Sequence, residues 1–379
     1  MLTLSNKEAR HLMLSNQGLI GNSFGNKKEG TLKAIEHLGY VQIDTISVVE
    51  RAHHHTIWVR VNDYKKSYLD ELIEKDKTVF EYWSHAAAFL PMRDYRFSLY
   101  RKNLIATGKL KWYFNKKATR FVYDRIVAEG PLQSKDFEEK KKKTGWWDWK
   151  ESKRALEQLF MEGKLMVAKR QGFQKVYDLT ERVLPKGVND KLPSPKEYAE
   201  YLITKTIRAN GLAAKSEIGY LRSHAKPLVA KAIAEMEEAG ILIPLKIKGV
   251  CDEILYTTQQ SLDLAENAKA KNAVTILSPF DNCVIQRGRL KTIFDFDYTI
   301  ECYVPGPKRK YGYFCLPVLY KDTFVGRIDC KAERSEKTLY VKNIFYEKKA
   351  DAKLKAELIK ALNNFADFNG CNEMRGKII

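Results

Sequence analysis

Leu165-Met166-Val167-Ala168-Lys169-Arg170, then Gln171-Gly172, then Phe173-Gln174-Lys175-Val176-Tyr177-Asp178-Leu179: two apolar-rich runs around a glycine decide how this chain is read. Glycine reaches the left-handed conformations that close tight turns, so the stretch predicts a hairpin. Just upstream, Trp149 to Glu162 carries Ala155, Leu156, Leu159 and Phe160 on one helical face, and Gly163 stops it. Before that, Ser134-Lys135-Asp136-Phe137 starts a short helix. Phe121, Ile126 and Val127 fit an earlier one that Gly130-Pro131 ends. Three helices followed by a hairpin is the winged-helix order, an elaboration of helix-turn-helix.

The order returns downstream. Ser194-Pro195-Lys196-Glu197 opens a helix to about Asn210, Ser216-Glu217-Ile218 starts another, and Lys226 to Ala239 forms a third. Ile241 to Ile247 and Val250 to Tyr256 flank Lys248-Gly249 as a second hairpin, and the polar stretch from Pro185 to Pro195 reads as a linker. Towards the start, Ser5 and Glu8 form a capping box for a helix to Ser15. A second helix, Lys28 to Leu38, stops at Gly39, and Tyr40-Val41-Gln42-Ile43-Asp44 alternates as a short strand. Tyr64 to Lys77 and Tyr95 to Leu104 read as helices. Beyond Ala273 the pattern changes to strands at Val274–Leu277, Thr299–Val304, Tyr313–Leu319, Thr323–Asp329 and Thr338–Val341, with a closing helix from Asp351 to Phe365. The expected fold is α+β: tandem winged-helix units followed by a small antiparallel β-rich C-terminal domain. The expected boundaries are 1–117, 118–190, 191–268 and 269–379.

The chain has 379 residues and a formal net charge of +19 from 66 Lys and Arg against 47 Asp and Glu. That excess points to a polyanionic partner, nucleic acid first, and on charge alone ribosomal and membrane-surface proteins look similar; double-stranded DNA is the partner expected once the winged-helix order is added. No apolar run approaches the ~20 residues that span a bilayer, and the start lacks a signal-peptide pattern. The expected location is the cytoplasm, at the nucleoid. The six cysteines include no CxxC pair, so no metal or other cofactor is expected, and buried free thiols are the simpler reading.

Gln42 and Asp44 stand two apart on an extended segment, which places both side chains on one face. A carboxylate beside a sugar's anomeric carbon stabilises an oxocarbenium-like centre and accepts a proton from attacking water, and a neighbouring amide can hold that water. Taken alone, the three residues read better as a turn in which Asp44 is only a cap. His53-His54-His55 lacks ligand spacing for a metal, leaving DNA contact or a plain polar loop. Trp83 and His85 flank Ser84 without a glycine elbow, and are read as packing against the Gln42/Asp44 face. Lys169, Arg170, Gln171 and Lys175 form the tip of the first wing, with cations for phosphates. Lys140-Lys141-Lys142-Lys143, after Glu138-Glu139, reads as a phosphate contact or a solvated face, and Trp146, Trp147 and Trp149 as core residues.

Several distant anchors together carry a resemblance: Val41-Gln42-Ile43-Asp44-Thr45-Ile46-Ser47-Val48-Val49 with Arg51-Ala52-His53-His54, Tyr82-Trp83-Ser84-His85-Ala86-Ala87, Leu277-Ser278-Pro279-Phe280-Asp281-Asn282, and Tyr303-Val304-Pro305 with Lys308-Arg309-Lys310-Tyr311-Gly312-Tyr313 and Gly326-Arg327. In these the chain resembles the bacterial winged-helix DNA glycosylase family of the YcaQ/AlkZ type. The resemblance implies three winged-helix units and a β-rich C-terminal domain. It also implies monofunctional, cofactor-free hydrolysis of the N-glycosidic bond of N7-alkylated purines, including interstrand crosslinks, in base excision repair of alkylation damage. It assigns catalysis to Gln42 and Asp44, and makes Arg51, His53, His54, His55, Trp83, His85, Lys308, Arg309 and Lys310 candidates for DNA contact beside the wing residues. His55 stands where an apolar residue is expected. The competing reading is a non-enzymatic winged-helix transcription regulator. Such proteins usually dimerise, whereas this chain shows no dimerisation helix and is read as a monomer.

Overall fold

The computed structural model describes residues 1–21, 24–137, 146–269 and 272–378. The basic tract Lys140–Lys143 and the side chains of Trp146, Trp147 and Trp149 lie outside the described residues. The architecture is mixed α+β. It divides into two compact units, one made of Met1–Tyr64 with Leu202–Ile379 and the other of Lys65–Tyr201. The first of these units brings the chain's two ends around shared apolar clusters.

In the Lys65–Tyr201 unit, the helix Lys66–Glu74 buries Leu69 and Leu72. An antiparallel hairpin of Val79–Trp83 and Ala87–Pro91 follows, pairing Phe80 with Leu90 and Tyr82 with Ala88. Helix Tyr95–Ala106 leads to Lys116–Glu129, a 3-10 turn at Ser134–Phe137, helix Trp146–Glu162, and the strands Leu165–Gln171 and Gln174–Leu179. The turn residue Gly172 has φ +60°, the region that favours glycine, and no atom lies close enough to crowd a side chain there. Leu132 pairs with Tyr177, which ties the short helical turn to the hairpin.

The other unit begins with the strand Leu2–Leu4, parallel to Ile243–Ile247. Helix Asn6–Asn16 carries the capping box read from Ser5 and Glu8, and helix Lys27–Leu38 ends on Gly39 at φ +73°. The strand Leu2–Leu4 completes a four-stranded sheet with Ile243–Ile247, Cys251–Thr257 and Ala213–Ala214. A second sheet runs Val274–Ile276, Cys315–Tyr320, Thr323–Glu333, Thr338–Tyr346, Glu373–Gly376. Its last pair is parallel, and the helix Ala352–Phe368 supplies the crossover that a parallel pair needs. That helix buries Leu354, Leu358, Leu362, Phe365 and Ala366, one apolar stripe at helical spacing. Val49 and Ala52 lie in the same apolar cluster, while Ala9, Leu12 and Met13 join Leu277, Val284 and Phe296 in another. Cys283, Cys315, Cys330 and Cys371 are buried free thiols.

Two local readings are corrected. Thr299–Val304 is not a strand. The Glu301 carboxylate accepts the backbone N–H groups of Lys310, Tyr311 and Gly312 at 2.8, 2.8 and 2.9 Å, holding the segment in a compact loop instead of a ladder. His53, His54 and His55 sit on the helix Ala52–Trp58, not in a loop.

Arg60 and Asp281 form a bidentate ion pair at 2.7 and 2.8 Å, with both side chains fully buried. Arg60 also donates to the Gln17 and Thr56 carbonyls and to Gln17 Oε1. Removing one partner of a buried pair strands the other charge. Asp281→Asn is expected to cost about 3–5 kcal/mol of stability, read by urea unfolding. A variant with wild-type stability would show that this pair does not hold the unit together.

Candidate active site

The segment from Tyr40 to Glu50 has little regular structure of its own, with only Val41–Gln42 in a strand. Partners far along the chain fix it. Asn282 Nδ2 donates to the Tyr40 carbonyl at 3.1 Å. Arg334 donates to the carbonyls of Ser47 and Val49 at 3.0 Å each. The Ala332 N–H donates to the Val48 carbonyl at 2.9 Å, and the Glu50 N–H donates to Asn369 Oδ1 at 2.7 Å. Val41 and Val49 are buried at either end. The chain between them is therefore held by both termini, and Asp44 lies in its middle.

Gln42 is 8% exposed and Asp44 is half-buried. Asp44 Oδ1 accepts the Ile46 N–H at 2.7 Å, an Asx-turn. Its Oδ2 has no hydrogen-bond partner among the described residues. So Asp44 does serve the turn, as its type and place allow, with one oxygen left over for chemistry. Burial pushes its pKa above the ordinary carboxylate value, and the Ile46 N–H and the Arg51 charge oppose that rise without cancelling it. Arg51 is the N-cap residue of the helix Ala52–Trp58, and its N–H donates to Glu50 Oε1 at 2.9 Å.

Cys302 and Tyr303, in the loop after Ile300, lie within reach of the same carboxylate's charge. The Cys302 thiol is pushed up by burial and then by the Asp44 charge. The Tyr303 phenol is raised by partial desolvation and then by Cys302 and Asp44. Arg309 Nε donates to the Val304 carbonyl at 2.8 Å, and its guanidinium sits 5.0 Å from the Tyr313 ring centre. Lys308 and Lys310 are exposed, the latter with its ammonium 4.9 Å from the Tyr311 ring centre. Tyr303 stands in the sequence as an anchor of the resemblance and not among the site residues it implies. The available signal was an aromatic followed by Val304-Pro305 and a basic run.

The three histidines separate. His55 is 1% exposed, donates from Nε2 to the Ile276 carbonyl at 2.9 Å, and lies 4.9 Å from the Phe365 ring centre. Burial lowers its pKa to about 4, so it is neutral near pH 7. The DNA contact expected of His55 is corrected on this ground: it is a core residue in the apolar place the sequence pattern anticipated. His53 is also buried, while the half-buried His54 has Nδ1 2.7 Å from the Tyr64 hydroxyl.

The wing residues lie in the Lys65–Tyr201 unit. Lys169 and Gln171 are exposed, and Gln171 Oε1 accepts from Gln133 at 2.8 Å. Arg170 and Lys175 are part-buried and have an internal partner. Both pair with Glu81, which is 1% exposed, at 2.9 Å, and Arg170 does so through two nitrogens. Trp83 packs edge-on against Trp112 with ring centres 6.0 Å apart, and Arg101 stacks on it at 5.7 Å. His85 sits between the strands Val79–Trp83 and Ala87–Pro91, next to Ser84, whose N–H donates to the Ala86 carbonyl at 2.8 Å. Among the described residues, no group of three or more His, Cys, Asp or Glu is placed to hold a metal. No helix among them is long and apolar enough to cross a membrane.

Arg170→Ala is expected to destabilise its unit by about 1.5–3 kcal/mol, the worth of hydrogen bonds to a buried carboxylate. Lys169→Ala, at an exposed position, is expected to stay within about 0.5 kcal/mol of wild type. Thermal unfolding of both variants checks this, and equal effects would remove the distinction between them.

A family model described as "DNA glycosylase AlkZ-like" matches residues 35–368. Among solved structures, the Streptomyces sahachiroi DNA glycosylase AlkZ matches with a TM-score of 0.63 at 15% identity. The match covers 99% of this chain and 100% of that one, and at this identity it speaks for the fold.

Proposed function

We propose, because the chain belongs to the AlkZ-like DNA glycosylase family, that it hydrolyses the N-glycosidic bond of N7-alkylated purines in duplex DNA. The proposed substrates include purines joined in interstrand crosslinks. The observation that carries this reading is Asp44: a half-buried carboxylate with raised pKa and one oxygen outside the turn, two residues after buried Gln42.

An N7-alkylated purine carries a positive charge before cleavage, so it departs without a strong general acid. The bond from the sugar's anomeric carbon to the base nitrogen breaks, and its electron pair neutralises the departing base. The Asp44 carboxylate stabilises the oxocarbenium-like sugar that remains. Water then adds to the anomeric carbon and gives its proton to Asp44. Gln42 positions the sugar or the water through its amide. The products are the free alkylated base and an abasic site, with no lysine adduct and no strand cleavage, as in a monofunctional enzyme. A crosslinked base brings its partner base along, so we place the reaction within the duplex without full extrusion.

Several features support DNA as the partner. The order helix, helical turn, helix and hairpin over 116–179 and again over 195–257 is that of winged helices. The net charge of +19 favours phosphate contact, and Lys169, Lys308 and Lys310 are exposed cations. Within this reading the protein works as a monomer on chromosomal DNA in the cytoplasm.

The deciding experiment treats duplex containing N7-methylguanine, or a nitrogen-mustard crosslink, with the protein and then with hot alkali. Strand breaks at the lesion are expected for wild type and largely lost for Asp44→Asn, with duplex binding kept. Absence of breaks on both substrates would leave the regulator reading standing.

The ionised form of Asp44 is the active one, so the single-turnover rate is expected to fall as pH drops through a pKa raised from the ordinary aspartate value. Arg51→Met removes a charge that favours ionisation, so the acid limb is expected to move to higher pH. An unmoved limb would dissociate Asp44 from the proton transfer. Lys308→Ala and Lys310→Ala are expected each to lower the slope of log affinity against log salt by about 1, the signature of one lost phosphate contact.

A further inference from the structure

Tyr303 is 79% exposed, a large aromatic ring standing in solvent. A lone exposed aromatic is ordinary, but the backbone beneath this one is unusually well held. The Glu301 carboxylate accepts three consecutive N–H groups, from Lys310, Tyr311 and Gly312. The Val304 N–H donates back to the Glu301 carbonyl at 3.0 Å. Arg309 closes the other side by donating to the Val304 carbonyl at 2.8 Å. Gly306–Lys308 is a 3-10 turn begun by Pro305. The ring is thus presented from a fixed support, which lowers the entropy cost of using it against a ligand.

Its neighbours complete the picture. Ile300 and Tyr313 at the base of the loop pack on the same apolar cluster as Ile46 and Val48, which follow Asp44. Asp44 and Tyr303 are near enough for the carboxylate's charge to act on the phenol. Lys308 and Lys310, both exposed, follow within the same loop. An aromatic ring beside a catalytic carboxylate, with cations following it, matches the chemistry of a duplex step: stacked bases inside and phosphates outside.

Resting on the glycosylase reading, we infer that Tyr303 wedges against the base stack next to the lesion, opening the duplex so that the anomeric carbon reaches Asp44. The wedge supplies local unstacking in place of full extrusion, which suits a base still joined to the other strand. Its ring does the work, so phenylalanine or tryptophan can replace it. Base–aromatic stacking is sequence-tolerant because every base has a π-face, and the wedge therefore adds access without restricting the neighbouring sequence.

The test uses the full chain and a duplex with one N7-methylguanine, placing a fluorescent adenine analogue beside the lesion to report unstacking. Wild type and Asp44→Asn are expected to raise its fluorescence on saturating binding. Tyr303→Ala is expected to bind without that rise and to excise the base about 10- to 100-fold more slowly in single turnover, the scale of one lost stacking contact. Tyr303→Phe and Tyr303→Trp are expected to keep both the rise and the rate. A full rise and rate in Tyr303→Ala, no rise with wild type, or a Tyr303→Phe that behaves like Tyr303→Ala would each overturn the wedge. The fluorescence readout needs no chemistry. An active Asp44→Asn therefore sinks the catalytic assignment and leaves Tyr303 to be judged separately.

Discussion

Two charges with no contact with water hold the larger unit in register. Arg60 and Asp281 are 221 positions apart in sequence, and both side chains are fully buried. Burying an ion pair is expensive unless every donor and acceptor is satisfied. Here the guanidinium is shared among Asp281, the carbonyls of Gln17 and Thr56, and the Gln17 side chain. Asp281 Oδ1 also accepts the Cys283 N–H at 2.9 Å. With all of these closed, the helices near the start of the chain can meet the turn after Leu277 in only one way. The next residue, Asn282, then reaches the carbonyl of Tyr40, which places the entry to the segment holding Gln42 and Asp44.

The site follows from that constraint. Its segment is irregular and short, and it borrows rigidity from Arg334, Ala332 and Asn369 near the other end of the chain. Irregular backbone suits chemistry because it lets a carboxylate stand half out of the core, while borrowed bonds keep it from drifting. The environment of Asp44 is a balance. Burial makes ionisation harder, which strengthens the carboxylate as a base, and Arg51 and the Ile46 N–H keep that effect in check. A fully solvated carboxylate would be a weaker base, and one buried without these partners would ionise less readily.

Charge illustrates how far composition is from an interface. The excess of 66 basic over 47 acidic residues is a property of the whole chain, but several of its cations do structural work. Arg170 and Lys175 neutralise buried Glu81. Arg327 pairs with Glu347 and lies over the rings of Phe296 and Tyr311. Lys169, Lys308 and Lys310 are among the exposed cations that solvent and a polyanion can reach.

Local features were legible because they are set within a few residues. Ser5 with Glu8, and Gly39 after Leu38, marked helix ends through the backbone groups that any helix leaves open. The hairpin over 165–179 and the closing helix were visible as period and turn chemistry. Gln42 and Asp44 stood out through their place among distant anchors, since three residues carry too little information alone. What tertiary structure decided was every property that needs a partner elsewhere. Leu2–Leu4 is a strand because Ile243–Ile247 offers it an edge. Thr299–Val304 has strand-like composition and is a loop because Glu301 takes the backbone donors of residues 310–312. His55 looked like a surface contact and is internal, held by the Ile276 carbonyl, and Arg170 is tied to buried Glu81. Sequence fixes which groups a residue brings, while burial and pairing, which set the charge and reach of those groups, arise only when remote segments meet.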